Sequence, residues 1–82
     1  METKIKVLIA DDHTLVRMGL RMLVSSQKDL EFVGEAEDGN EAVRKALKSR
    51  PNVVIMDLMM PEKDGAAATA EIKAAAPEIN IL

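Results

Sequence analysis

Three aspartates in this 82-residue chain stand where short apolar runs stop. Asp11 and Asp12 follow the run from Ile5 to Ala10, and Asp57 follows the run from Val53 to Met56. If these runs are neighbouring strands, three carboxylates converge at the carboxyl edge of one sheet, which is where open α/β sheets gather ligands. Carboxylates that close repel one another, and at neutral pH they either neutralise through a raised pKa or share a cation. A hard divalent ion meets that need. Mg²⁺ takes oxygen donors and keeps waters, so one or two carboxylates, a backbone carbonyl and a phosphate oxygen suit it better than a closed protein cage. A cation there also screens Asp57 from an incoming anionic phosphoryl group, which lets its carboxylate act as a nucleophile and form an acyl phosphate. The plainer alternative is that Asp11 or Asp12 only caps the helix that follows, because acids are favoured at helix starts.

The elements that must position these acids follow from a periodicity that switches back and forth. Ile5 to Ala10 is β-branched and almost continuously apolar, as in a strand buried on both faces of a parallel sheet. In the helix behind it Leu15, Val16, Gly19, Leu20 and Leu23 form a broad apolar stripe, with Arg17 and Arg21 on another face. After a turn from Ser25 to Asp29, Leu30 to Ala36 is a second strand in which Leu30, Phe32 and Gly34 alternate with Glu31, Val33 and Glu35. Asp38-Gly39-Asn40 supplies a turn and an N-cap, and Ala42, Val43, Ala46 and Leu47 stripe a short helix. Arg50-Pro51-Asn52 stops it before the third strand. A loop from Leu58 to Asp64 leads into an Ala-rich helix from about Ala66 to Ala75, which Pro77 ends, and Ile79 to Leu82 begins a fourth strand. The order βαβαβαβ with short connections predicts a parallel sheet with helices on both faces and right-handed crossovers.

Composition removes several classes of function. The length allows one domain, residues 1–82, with a thin core. There is no Cys and one His, so neither a disulfide framework nor a structural zinc site can be built. Eleven basic and fourteen acidic residues give a net charge of −3 and are interspersed, which argues against a broad nucleic-acid surface on this chain. The apolar runs are too short to span a bilayer, and Met1-Glu2-Thr3-Lys4 leads into too few apolar residues for a signal peptide. A cytoplasmic protein is expected. His13 reads as a solvated residue or one that supports the acids from behind, Met18, Met22, Met56 and Met60 as core filling, and Arg17, Arg21, Arg44 and Lys48 as solvated helix faces. Gly39 and Gly65 serve turns before helices; neither belongs to a phosphate-cradling loop.

Ile5 to His13 reads IKVLIADDH, Val33 to Gly39 reads VGEAEDG, and Pro51 to Gly65 reads PNVVIMDLMMPEKDG. In these segments, and in the order and spacing of nearly all 82 residues, the chain resembles the receiver domain of bacterial two-component response regulators. The likeness is to the branch that usually carries a LuxR-type helix-turn-helix output domain. It implies the flavodoxin-like α/β fold, a doubly wound parallel sheet in the order 2-1-3-4-5 in complete members, here ending in strand four. By position it implies Asp57 as phosphoacceptor, Asp12 as a direct Mg²⁺ ligand, Asp11 as a ligand directly or through water, and the Met59 backbone carbonyl as a further ligand. Mg²⁺ is the implied cofactor and a sensor histidine kinase the implied partner; DNA is reached only through an output domain absent from this chain.

Complete receivers also carry a Ser or Thr after strand four and a Lys after strand five, both of which contact the phosphoryl group. The chain stops at Leu82, so the resemblance implies a receiver truncated at its C-terminus. Three functional classes follow. The first is a signalling phosphoacceptor domain that controls an output module and is not an enzyme beyond its own phosphotransfer and dephosphorylation. The second is a truncated or engineered receiver fragment acting as an interaction or folding module, with self-association through the exposed sheet edge at strand four. The third is an aspartyl-phosphate phosphohydrolase, against which Met59 replaces the second acid commonly found two residues beyond the nucleophile.

Overall fold

A computed structural model describes residues 3–82. Met1 and Glu2, which begin the stretch read as lacking signal-peptide character, lie outside the described residues. Four strands and three helices alternate: β1 (Ile5–Ala10), α1 (Thr14–Ser25), β2 (Leu30–Ala36), α2 (Gly39–Ser49), β3 (Val53–Met56), α3 (Gly65–Ala75) and β4 (Asn80–Ile81). All pairings are parallel and the order is β2-β1-β3-β4. The expected α/β sheet is therefore present, with β4 shorter than the Ile79 to Leu82 run suggests. None of the described helices is long and apolar enough to cross a membrane.

The unbroken hydrophobicity of β1 has a direct cause, because this strand lies between two others and is covered on both faces. Leu8 and Ala10 point to one side, where α2 and α3 bring Ala42, Ala46, Ala68 and Ile72 into a core shared with Val54 and Met56. The small alanines let both helices lie close to the sheet. Val7 and Ile9 point to the other side, where α1 contributes Val24, with Leu20, Phe32 and Ile55 partly buried around it.

Two expectations for this second face are corrected. Helix α1 does not bury the stripe of Leu15, Val16 and Leu23; those residues are exposed, as are Met18 and Met22, which were expected in the core. The buried face is instead Arg17 and Val24, with Leu20 half-buried between them. The periodicity of α1 points a different face inward, and the partners of Arg17 accompany the rotation adopted instead.

Strand β2 departs from simple alternation. Val7 pairs with Phe32 but Leu8 pairs with Gly34, so one extra residue, Val33, is accommodated between them. Such a bulge inverts the facing of every later residue relative to strict alternation. Glu35 thereby lies beside Ile9 on the α1 side, and Ala36 turns into the α2–α3 core.

Candidate functional site

The parallel ladders bring the acids together one step past the strands. Ala10 is in register with Met56, and the Asp57 amide donates to the Ala10 carbonyl at 2.9 Å. The Asp11 amide donates to the Ala36 carbonyl at 3.0 Å. Asp11 and Asp57 therefore leave adjacent strand ends side by side. Asp11, Asp12, His13 and Asp57 each offer a ligand atom, and these atoms all lie within 4.8 Å of one another.

The helix-cap alternative does not account for this cluster. The residue capping α1 is His13, which makes no side-chain cap bond, and the Asp11 carboxylate accepts from the His13 amide at 2.8 Å, outside the helix. The genuine acidic caps are elsewhere: Asp38 accepts from the Glu41 amide and Asp64 from the Ala67 amide, both at 2.8 Å.

The donor set suits a hard cation. Three carboxylates supply charge and oxygen, while Asp11 is buried and Asp12 and Asp57 remain partly open to solvent, so waters can complete a shell. Met59 is at the neighbouring loop, with an exposed side chain, and its amide donates to the Asp57 carboxylate at 3.3 Å. Met60 packs into the core beside Met56, which anchors the start of that loop.

His13 was expected as a solvated or supporting residue, and its position serves both descriptions. Its side chain is exposed, yet Nδ1 lies 2.9 Å from Asp11, 3.1 Å from Asp12 and 4.0 Å from Asp57. The hydrogen bond to Asp11, then the charge of Asp12, hold the imidazole above its ordinary value of 6.5. The sign fixes the pH window: this contribution to stability is complete below the unfolded pKa and disappears as pH rises through the higher folded one. An NMR titration of the His13 ring is expected to give a midpoint above 6.5, moving down in Asp11→Asn. A midpoint at or below the ordinary value would contradict the geometry.

Two further sets of residues support the site. Gly39 and Gly65 have no positive φ; what they permit is close approach. A Cβ on Gly65 would fall 2.1 Å from the Asp57 carbonyl oxygen, and one on Gly39 would fall 1.8 Å from that of Lys63. Only a residue lacking Cβ fits either contact. Arg17, expected on a solvated face, is buried beneath the acids and donates to the Asp11 carbonyl and the Glu35 carboxylate, both at 2.8 Å. Its spacing along the helix matched a solvated stripe, and no local signal pointed inward.

Known proteins resemble this chain in sequence and fold. Residues 7–82 match the family model described as the response regulator receiver domain. The response regulator protein VraR of Staphylococcus aureus is 46% identical over 78 residues, covering 95% of this chain and 37% of VraR. The chain thus spans little more than a third of the curated relatives it matches. The response regulator domain of CheB from Thermotoga maritima superposes with a TM-score of 0.89 at 43% identity, covering 92% of this chain and 56% of that one. A LuxR-family two-component response regulator from an Aurantimonas species gives a TM-score of 0.89 at 33% identity, covering 96% and 56%. The parallel order β2-β1-β3-β4 is that of the flavodoxin-like fold of these domains. Because the family match runs from residue 7 to residue 82, nearly the whole chain, this chain belongs to the response regulator receiver domain family.

Proposed function

We propose that Asp57 is the phosphoacceptor of a signalling domain, and that Asp11, Asp12, Asp57 and the Met59 backbone carbonyl hold the Mg²⁺ on which the transfer depends. The observation that carries this reading is the convergence of three carboxylates from two strand ends within 4.8 Å. A carboxylate oxygen of Asp57 attacks phosphorus, a new O–P bond forms, and the bond to the donor's leaving atom breaks with its electron pair going to that atom. With a sensor histidine kinase as donor, the leaving atom is an imidazole nitrogen. Mg²⁺, when bound, supplies the positive charge that offsets the negative charge gathered around the phosphoryl group. Asp11 and Asp12 place that charge beside the nucleophile, and the Met59 amide orients the Asp57 carboxylate through its hydrogen bond.

We place residues 1–82 as the N-terminal part of a single receiver domain, working in the cytoplasm and controlling a DNA-binding output domain outside this chain. The role is regulatory. The phosphohydrolase reading is disfavoured by Met59, whose exposed apolar side chain offers no general acid.

Titration with Mg²⁺ followed by backbone amide shifts tests the metal site. Shifts are expected at residues 11–13 and 57–59, with weak affinity because water supplies several ligands. No change at those amides would overturn the reading.

A further inference from the structure

We infer that Arg17 is a positioning residue for the cation site, acting through the peptide that joins Asp11 to Asp12; this rests on the Mg²⁺ reading above. Two of the three carboxylates hang from the two ends of that single planar unit. Its carbonyl oxygen accepts from Arg17 Nη1 at 2.8 Å in a buried contact. The same guanidinium donates through Nε to Glu35 at 2.8 Å and lies 3.6 Å from Glu37. Glu35 is itself held, because its other carboxylate oxygen lies 3.7 Å from Arg21 and its carbonyl accepts from Lys45 at 2.6 Å. The Asp11 amide is meanwhile tied to Ala36. Both backbone polar groups of Asp11 are thus referred to the end of β2, one directly and one through Arg17.

This placement has a physical logic. A buried guanidinium is tolerated only when its charge and donors are matched, and here two carboxylates and a carbonyl match them. The planar fork lets one side chain reach Asp11 and Glu35 together, which a lysine ammonium on a flexible stem cannot do in the same geometry. With the Asp11 carbonyl drawn toward Arg17, the carboxylates of Asp11 and Asp12 stay grouped with Asp57. Without the clamp, that carbonyl is a buried acceptor with no partner, and the Asp11–Asp12 peptide is free to rotate toward water. The bulge at Val33 is part of the device, since it puts Glu35 on the α1 side.

Electrostatics and positioning predict opposite signs, which makes the inference testable. Removing a positive charge near three carboxylates should tighten Mg²⁺ binding if charge alone mattered. Positioning predicts weakening, on the order of tenfold or more, as for other groups that orient metal ligands. Mg²⁺ affinity is measured by amide titration on the full native chain, its Arg17→Met variant and its Arg17→Lys variant, with thermal melts recorded alongside. Both variants are expected to bind more weakly, including Arg17→Lys, which keeps the charge. A folded Arg17→Met variant that binds as tightly as the parent or more so would overturn the inference, as would a folded Arg17→Lys with parental affinity. Lowered melting temperatures with unchanged affinity would assign Arg17 a purely structural role and equally overturn it. A further readout needs no variant: in the unsubstituted protein the Arg17 Nε–H resonance should move with the same Mg²⁺ midpoint as the amides of residues 11–13. A static Nε–H signal while those amides shift refutes the clamp alone, whereas amides that do not respond at all refute the metal site and the clamp with it.

Discussion

Asp57→Asn is expected to abolish phosphoryl incorporation completely, where the parent protein gains one phosphoryl group from a small phosphodonor in the presence of Mg²⁺. The substitution keeps the shape of the side chain and an oxygen able to accept from the Met59 amide, which now lies 3.3 Å from the carboxylate. It removes the anionic oxygen that attacks phosphorus, and an amide is too weak a nucleophile to replace it. Folding should survive, because the structural tie of this residue is its backbone amide on the Ala10 carbonyl. Relief of repulsion among the acids makes the variant at least as stable as the parent. Intact-mass measurement of both proteins after equal exposure checks the result at the native length of the chain. Asp11 and Asp12 are the control for specificity, since they are carboxylates in the same cluster. A phosphoryl group retained on Asp57→Asn would move the acceptor to one of them and refute the proposed role.

Gly65→Ala is expected to be the most damaging single-methyl change near the site. The added Cβ would meet the Asp57 carbonyl oxygen at 2.1 Å, the Leu58 Cα at 2.8 Å and the Asp57 carbonyl carbon at 2.9 Å. These are backbone atoms of the strand end itself, and they cannot swing aside as a side-chain tip can. The Gly65 amide also donates to the Leu58 carbonyl at 2.8 Å, closing the loop that carries Met59. Relief requires either the start of α3 or the end of β3 to move, at a cost of about 3 kcal/mol or more, the upper end for overpacking. The amides of residues 57–59 should shift with it, and Mg²⁺ affinity should fall. Gly19→Ala in the middle of α1 is the matched comparison. Apart from the local backbone of its own helix and its chain neighbours, no atom lies within 4 Å of its added Cβ, so the better helix propensity of Ala should stabilise the protein by about 1 kcal/mol. Urea unfolding of the two variants checks the pair. Equal stability of Gly65→Ala and the parent would show that the loop yields easily and that the close approach is unimportant.

The sequence by itself determined most of the architecture. The run Ile5 to Ala10 reads as a strand covered on both faces, and β1 is the strand with α1 on one side and α2 and α3 on the other. Alternating elements with short connections predict parallel pairing, which sets the acids past two strand ends at one edge of the sheet; that they meet follows from β1 and β3 being neighbours, which the strand order decides. The strands and their direction are legible because each depends on residues adjacent in the chain. Other features depend on residues brought together from afar, and only the tertiary structure decided them. The hydrophobic pattern of helix α1 sets Leu15, Val16 and Leu23 on a stripe away from Arg17 and Arg21, and the helix does not bury that stripe. The rotation adopted buries Arg17 and exposes Leu15 and Met22 because Glu35 and the Asp11 carbonyl offer partners for a guanidinium. Glu35 is available only because one residue, Val33, is bulged out of register in β2, which reverses the facing that strict alternation predicts. The roles of Gly39 and Gly65 were likewise hidden: their turns need no positive φ, and what excludes a side chain is a carbonyl oxygen, that of Lys63 in another loop for Gly39 and that of Asp57 at the strand end for Gly65. A local pattern records which residues prefer water, whereas the position of an ion-pair partner or an approaching backbone depends on how the rest of the chain has packed.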